Sequence, residues 1–194
     1  RAERPQWLQS SLHSELLYGT LRHYLSLTEA IQKHLKRPLK KKDLDLQNLL
    51  LVGAYQLHHT AVADYAAISE CVEACRGLGK PWAKGLVNGV LRALQREETI
   101  EPNSESPAER DHPEWLRILL HRQYGKAALE LMEANNRRAP MTLRINQVAT
   151  HPDAFKRRLQ AANIPFADGP WEETVTLLEP QVAADLPGWT LGEC

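Results

Sequence analysis

No apolar run in this 194-residue chain approaches the roughly 20 residues that a membrane span requires. The first ten residues, RAERPQWLQS, hold no apolar segment of the kind that directs secretion. A membrane partner is not expected, and the chain reads as cytoplasmic. Cysteine is scarce: three thiols, an odd number, make no disulfide framework, so reduced thiols are expected. A Gly-rich phosphate or dinucleotide loop is also missing. The nearest approach, GLGK at Gly77 to Lys80, is too short for a P-loop, comes after no strand, and reads as a helix stop and turn. There is no Cys-x-x-Cys pair. Cys71 and Cys75 sit four apart on one helical face, with His58 and His59 a loop away. Adjacent histidines project about 100 degrees apart on a helix, so buried free thiols are a better reading than a zinc site. Acid pairs such as Glu97 with Glu98 are sequence neighbours on a solvated face. No catalytic, cofactor-binding or metal-binding residue is assigned.

The chain does have an apolar content of 43%, enough for a real core, and a net charge of zero that hides an asymmetry. Residues 1–98 carry 14 basic against 10 acidic residues, or +4, and the remainder carries 10 against 14, or −4. Between Arg22 and Lys42 there are seven basic residues and one acid, Glu29, whereas from Asp168 to Cys194 there are six acids and no Lys or Arg. The basic stretch suits a polyanion partner or a solvated face.

The first hundred residues read as helices with short connections. Leu8, Leu12, Leu16, Leu17, Leu21 and Leu25 predict one helix over 8–27, and Leu46, Leu49, Leu50, Val52 and Leu57 predict another over 44–58. Pro38 and four lysines mark the boundary between them. A third helix over 65–76 has Asp64 as its N-cap and Gly77 at its stop. The fourth, KGLVNGVLRALQR at Lys84 to Arg96, sets Leu86, Val87, Val90, Leu91 and Leu94 on one buried stripe and stacks Lys84, Asn88, Arg92 and Arg96 into a polar ridge. Its two glycines, Gly85 and Gly89, each cost roughly 0.5 to 1 kcal/mol against alanine. Close approach of a neighbouring helix, or of a ligand backbone, would offset that cost.

TIEPNSESPAERDHP has no apolar period and reads as a linker. Two helices come next, the second ending at Asn135, Asn136 and Pro140. Then the period changes. Met141, Leu143 and Ile145 alternate with Thr142, Arg144 and Asn146 as in a half-buried strand; a helix beginning near His151 or Pro152 and a strand over ETVTLLEP complete the start of an α+β unit. Both ends read as cut from something longer. Lys40, Lys41 and Lys42 with Lys84, Arg92 and Arg96 are candidates to neutralise phosphates, and Arg137, Arg138 and Arg144 form a second basic cluster. Arg144 and Asn146 have hydrogen-bonding forks suited to unpaired RNA bases, although an exposed strand face is polar in any case.

The ordered set LLYGTLR (Leu16 to Arg22), LLLVGAYQL (Leu49 to Leu57), AAISECVE (Ala66 to Glu73) and KGLVNGVLR (Lys84 to Arg92) resembles the NusB-like helical domain. HPEW, EANNRRAPMTLRIN and LPGWTLGE resemble the stretch C-terminal to that domain in the RsmB (Fmu/Sun) family of ribosomal RNA cytosine-5 methyltransferases. The fold class implied is mainly α: a NusB-like helical bundle (1–98), a linker (99–112), and a partial α+β subdomain, RRM- or ferredoxin-like, with its helices (113–194). The resemblance implies a parent enzyme that moves a methyl group from S-adenosylmethionine to a cytosine of 16S rRNA. Its two working cysteines and its cofactor loop belong to a C-terminal catalytic domain absent here, and none of Cys71, Cys75 or Cys194 stands in the matching Pro-Cys or Thr-Cys context.

This chain departs from the family in two places. A first helix is expected before Arg1, and Asp64 and Tyr65 stand where the family has Pro-His. The expectation is a non-catalytic RNA-recognition part, with small-subunit ribosomal RNA and the parent's catalytic domain as partners, and neither DNA nor membrane. Its RNA-facing candidates are Lys40, Lys41, Lys42, Lys84, Asn88, Arg92, Arg96, Arg137, Arg138, Arg144 and Asn146. A protein-docking helical module and a free-standing antitermination factor are the alternatives, and the TLRIN extension argues against the second.

Overall fold

The structure, a computed structural model, describes residues 11–97, 106–179 and 181–194. It divides into two compact units, the first ending at Asn136 and the second spanning Arg137–Cys194.

The first unit is helical. Its core is built from Leu27, Ile31, Leu46, Leu50, Leu51, Ile68, Val87, Leu91 and Leu94, all essentially buried and contributed by four helices: α2 (Tyr24–Lys33), α3 (Leu44–His59), α4 (Asp64–Gly77) and α5 (Lys84–Arg96). The apolar stripe read from the sequence of α5 is the face that enters this core. Before α2 lies α1 (Ser11–Arg22), and the single helix expected over 8–27 is two, broken at His23. Residues 8–10 lie outside the described residues. The physical cause of the break is the His23 ring, which stacks on His59 with centroids 4.1 Å apart and bonds the Asp111 carboxylate at 2.6 Å. Backbone hydrogen bonds run on through the bend, from His23 N–H to the Gly19 carbonyl and from Leu27 N–H to the His23 carbonyl.

Helix α4 ends at Gly77 as expected but starts differently. Its N-cap is Ala63, and the Asp64 carboxylate accepts a hydrogen bond from Gln95 Nε2 instead of capping its own helix. Its end is a Schellman turn in which Gly79, at φ +68°, takes the left-handed position. Lys80 N–H donates to the Cys75 carbonyl and Gly79 N–H to that of Arg76, so Gly77 is the last helical residue and the left-handed glycine of the stop is Gly79.

The expected linker over 99–112 holds a short helix. Residues 99–105 lie outside the described residues, but Ser106 opens α6 (Pro107–Arg110) with a full capping box: its hydroxyl accepts from Glu109 N–H while the Glu109 carboxylate accepts from Ser106 N–H. Then come α7 (Glu114–Tyr124) and α8 (Ala128–Asn136), with Ala108, Ala128 and Met132 in a small core of their own. By their contacts these helices fall in the first unit.

The second unit is a three-stranded antiparallel sheet with one helix. β1 (Met141–Arg144), α9 (Pro152–Ala161), β2 (Phe166–Asp168) and β3 (Thr174–Leu177) give the sheet order β1-β3-β2, with Leu143 opposite Val175 and Asp168 opposite Val175 on the other side. β2 was not expected from the sequence; three residues are too few to show a period of two. Leu143, Ile145, Phe155, Leu159, Val175, Leu177 and Leu186 form the core. LPGWTLGE folds back on the end of β1, where the Glu193 carbonyl accepts from Asn146 N–H. The buried Glu193 carboxylate pairs with Arg158 at 2.5 Å.

Candidate nucleic-acid interface

Pro38 ends the run after α2, and Lys41–Asp43 form a single 3-10 turn that leads into α3. Lys80, from the turn after α4, fastens it. The Lys80 ammonium donates to the Lys42 carbonyl at 2.8 Å and pairs with Asp43 at 2.9 Å and Asp45 at 2.5 Å. The hydrogen bond that Lys80 donates holds the Asp45 carboxyl below the usual carboxylate range, and donating to Asp45 and Asp43 pushes the Lys80 ammonium up. The two acids just after the lysine run thereby share one ammonium, which offsets one of their two negative charges. Lys40, Lys41 and Lys42 are exposed, and none of them has an ion pair among the described residues.

Along α5, Asn88, Arg92 and Arg96 are exposed as expected, while Lys84 is half-buried and its ammonium donates to Glu73 at 2.7 Å. Arg92 donates to its neighbour Gln95, leaving the rest of its guanidinium in solvent. Among the described residues, the expected helix contact at the glycines is absent. A Cβ on Gly85 or Gly89 would meet nothing within 4 Å, so both present bare backbone to solvent beside Arg92 and Arg96. The glycines that allow close packing are others: a Cβ on Gly19 would run into the Tyr55 ring, and one on Gly53 would come within 2.9 Å of the Leu91 methyls. A charge-lined strip of bare helix backbone is open to close approach by a phosphate chain.

In the second unit Arg137 and Arg138 are exposed ahead of β1, and Arg144 lies on its exposed face with Thr142. Asn146 is differently employed. Its Oδ1 accepts from Val148 N–H and its Nδ2 donates to the Gly192 carbonyl, so its amide fixes the turn after β1 and the returning chain end.

A buried polar cluster in the helical unit has no counterpart in the sequence reading. Asp111, between α6 and α7, accepts from the Ser26 hydroxyl at 2.5 Å and from Asn136 Nδ2 at 3.1 Å in addition to bonding His23. The His59 ring stacks against those of His23 and Tyr55, 4.1 and 5.2 Å away, at the exposed edge of the cluster, and desolvation of the ring, with His23 and His58 beside it, pushes its pKa down to about 4. The only signal in the sequence was a set of polar residues scattered over a hundred positions. The cysteines behave as core: Cys71 and Cys75 are buried, and burial raises the Cys71 thiol to about 11. Burial raises the Cys75 and Cys194 thiols too, against the thiolate that nucleophilic chemistry needs.

S-adenosylmethionine does not fit the described residues. Their sheet has only antiparallel neighbours, and no Gly-rich loop among them joins a strand to a helix N-terminus, so they do not form the usual cofactor crevice of a parallel sheet.

Comparison with known proteins gives two family matches in series. Residues 3–96 match the NusB family, and residues 112–184 match the ferredoxin-like domain of RsmF/B-like methyltransferases. A protein of Pectobacterium carotovorum called ribosomal RNA small subunit methyltransferase B is 36% identical over 185 residues, and one of the same name from Yersinia enterocolitica is 35% identical. The similarity covers 94% of this chain and 43% of each relative, so the chain spans less than half the length of the proteins it resembles. The crystal structure of PH0851 shares the fold at a TM-score of 0.70 and 13% identity, over 99% of this chain and 45% of that one. Two domain matches in that order, with relatives of one name along nearly the whole chain, place it in the RsmB type: a NusB-family helical domain and then the ferredoxin-like domain of RsmF/B-like methyltransferases.

Proposed function

We propose that this chain is the RNA-recognition part of an S-adenosylmethionine-dependent cytosine-5 methyltransferase acting on small-subunit ribosomal RNA in the cytoplasm, and that its helical unit makes the principal contacts. The observation that carries the reading is local charge. Lys40, Lys41 and Lys42 stand exposed with their neighbouring acids, Asp43 and Asp45, engaged by Lys80, and Arg92 and Arg96 flank the bare backbone of α5. Such a surface supplies phosphate contacts, and each neutralised phosphate steepens the fall of affinity with salt. The names of the relatives point to the same substrate. Arg137, Arg138 and Arg144 are proposed as secondary contacts from the second unit, and Lys84 and Asn146 as residues that shape the surface. Methyl transfer itself belongs to a catalytic domain that this part serves.

The test is charge reversal on the exposed face of α5. Arg92→Glu with Arg96→Glu should weaken binding of a small-subunit ribosomal RNA hairpin by roughly tenfold or more and reduce the salt slope. Circular dichroism should stay unchanged, because both side chains are exposed. Unaltered affinity would remove α5 from the interface.

A second reading, the protein-docking module, has one observation in its favour. Trp115, Ile118 and Leu119 make an exposed apolar stripe on α7, which buries none of its residues. Salt-insensitive association with a separately produced catalytic domain would support it. The antitermination factor is the weakest alternative, since the second family match continues to residue 184.

A further inference from the structure

Trp82 is the residue that the surface charge does not account for. Pro81, at the start of a single 3-10 turn, fixes the backbone so that Ala83 enters the core, fully buried, while the neighbouring Trp82 side chain is turned out and is 63% exposed. An indole left in water needs a reason. It lines an open recess of about 510 Å³ whose other walls are Pro38, Leu39, Lys40, Lys42 and Asp43 on one side and Gly79 and Lys80 on the other. That volume suits a nucleotide-sized group. The recess is held in shape from below: the Schellman turn fixes Gly79, and the Lys80 ammonium ties the Lys42 carbonyl, Asp43 and Asp45 to the opposite wall. Asp43 is buried and committed to that clasp, so Lys40 and Lys42 set the charge at the mouth.

We propose that this recess is a binding site for an unpaired base of single-stranded RNA, with the Trp82 indole as its stacking platform and Lys40 and Lys42 on the flanking phosphates. An aromatic face beside cations is the arrangement by which proteins hold single strands, because every base has a π-face and every linkage a charge. A purely apolar protein partner fits less well, since covering the indole would bury two ammonium groups without counter-charge. A duplex would offer phosphates to the lysines and no free base face to Trp82. The proposal rests on the RNA-binding reading above and adds to it the preference for unpaired over paired RNA.

The full chain would be titrated by fluorescence anisotropy against an unstructured RNA of roughly 12 nucleotides and a duplex of similar charge. Trp82→Ala should weaken the single strand roughly tenfold, leave the duplex and the salt slope unchanged, and be largely rescued by Trp82→Phe. Lys40→Ala with Lys42→Ala should weaken both RNAs and flatten the salt slope. If Trp82→Ala binds the single strand as wild type while the lysine variant is weakened, the base site is wrong and the polyanion reading stands. Equal loss on both RNAs for Trp82→Ala, at unchanged circular dichroism, also overturns the base site. No binding of either RNA by the wild-type chain overturns both readings.

Discussion

Gly19 and Gly85 are both glycines of a helix, and they differ in what a methyl group would meet: the Tyr55 ring in one case and open solvent in the other. Gly19→Ala is expected to destabilise the helical unit by forcing Tyr55 off its stack with His59. Gly85→Ala with Gly89→Ala is expected to stabilise it, by about 0.5 to 1 kcal/mol each in urea unfolding, because the helix loses two flexible residues without a clash. If the bare backbone of α5 is part of the RNA surface, the same alanine pair lowers RNA affinity while raising stability. His59 gives a prediction in pH. Its folded pKa, about 4, lies below the ordinary 6.5, so the unfolded chain binds the extra proton between those values. The stability it contributes is whole above pH 6.5 and is lost as pH falls towards 4. Thermal unfolding measured from pH 7.5 to 4.5 should show this fall, and a His59→Gln variant should show a shallower one.

Among the elements, α5 and β1 were legible because each carries apolar residues at one clear period and the structure buries most of that face. By contrast, α3 was legible as a helix but buries Leu46, Leu50, Leu51, Ala54 and Tyr55 and leaves Leu49, Val52 and Leu57 half-buried. The bend at His23 was not legible, since Leu21 and Leu25 keep the helical spacing across it and its cause, Asp111, lies 88 residues away. Composition hid α6. Its Ser106-to-Glu109 capping box stands in the sequence, but the proline, serine and acids around it favour a linker. In the candidate interface the exposed basic residues were legible as types, whereas the pairing that distinguishes Lys84 from Lys40 depends on Glu73, a residue of another helix. Asp111 also carries an element-scale prediction. It ties α2 to α8 through His23, Ser26 and Asn136 with its carboxylate 4% exposed, so Asp111→Ala should cost about 2 to 4 kcal/mol. Proteolysis would then open the α6 to α8 segment before the four-helix core. Equal protection of both segments would show that the Asp111 cluster does not fasten them.

For the whole molecule, the charge asymmetry does not follow the two units, which carry 18 basic against 17 acidic residues (1–136) and 6 against 7 (137–194). It is local, with seven basic residues and one acid between Arg22 and Lys42 and acids alone over the last 27 residues. Attraction to RNA is therefore expected from the basic stretch of the first unit, and it should weaken with salt. Phosphate contacts alone give no preference among RNAs, so a targeting role requires a shape or unpaired-base contribution as well. The most direct measurement is a titration of the full chain into a labelled small-subunit ribosomal RNA hairpin, beside an unrelated RNA of equal length, at low and moderate salt. Binding that falls with salt yet keeps its preference for the ribosomal hairpin is the predicted result. Equal affinity for both RNAs, or affinity for neither, would contradict the assignment of RNA recognition to this chain.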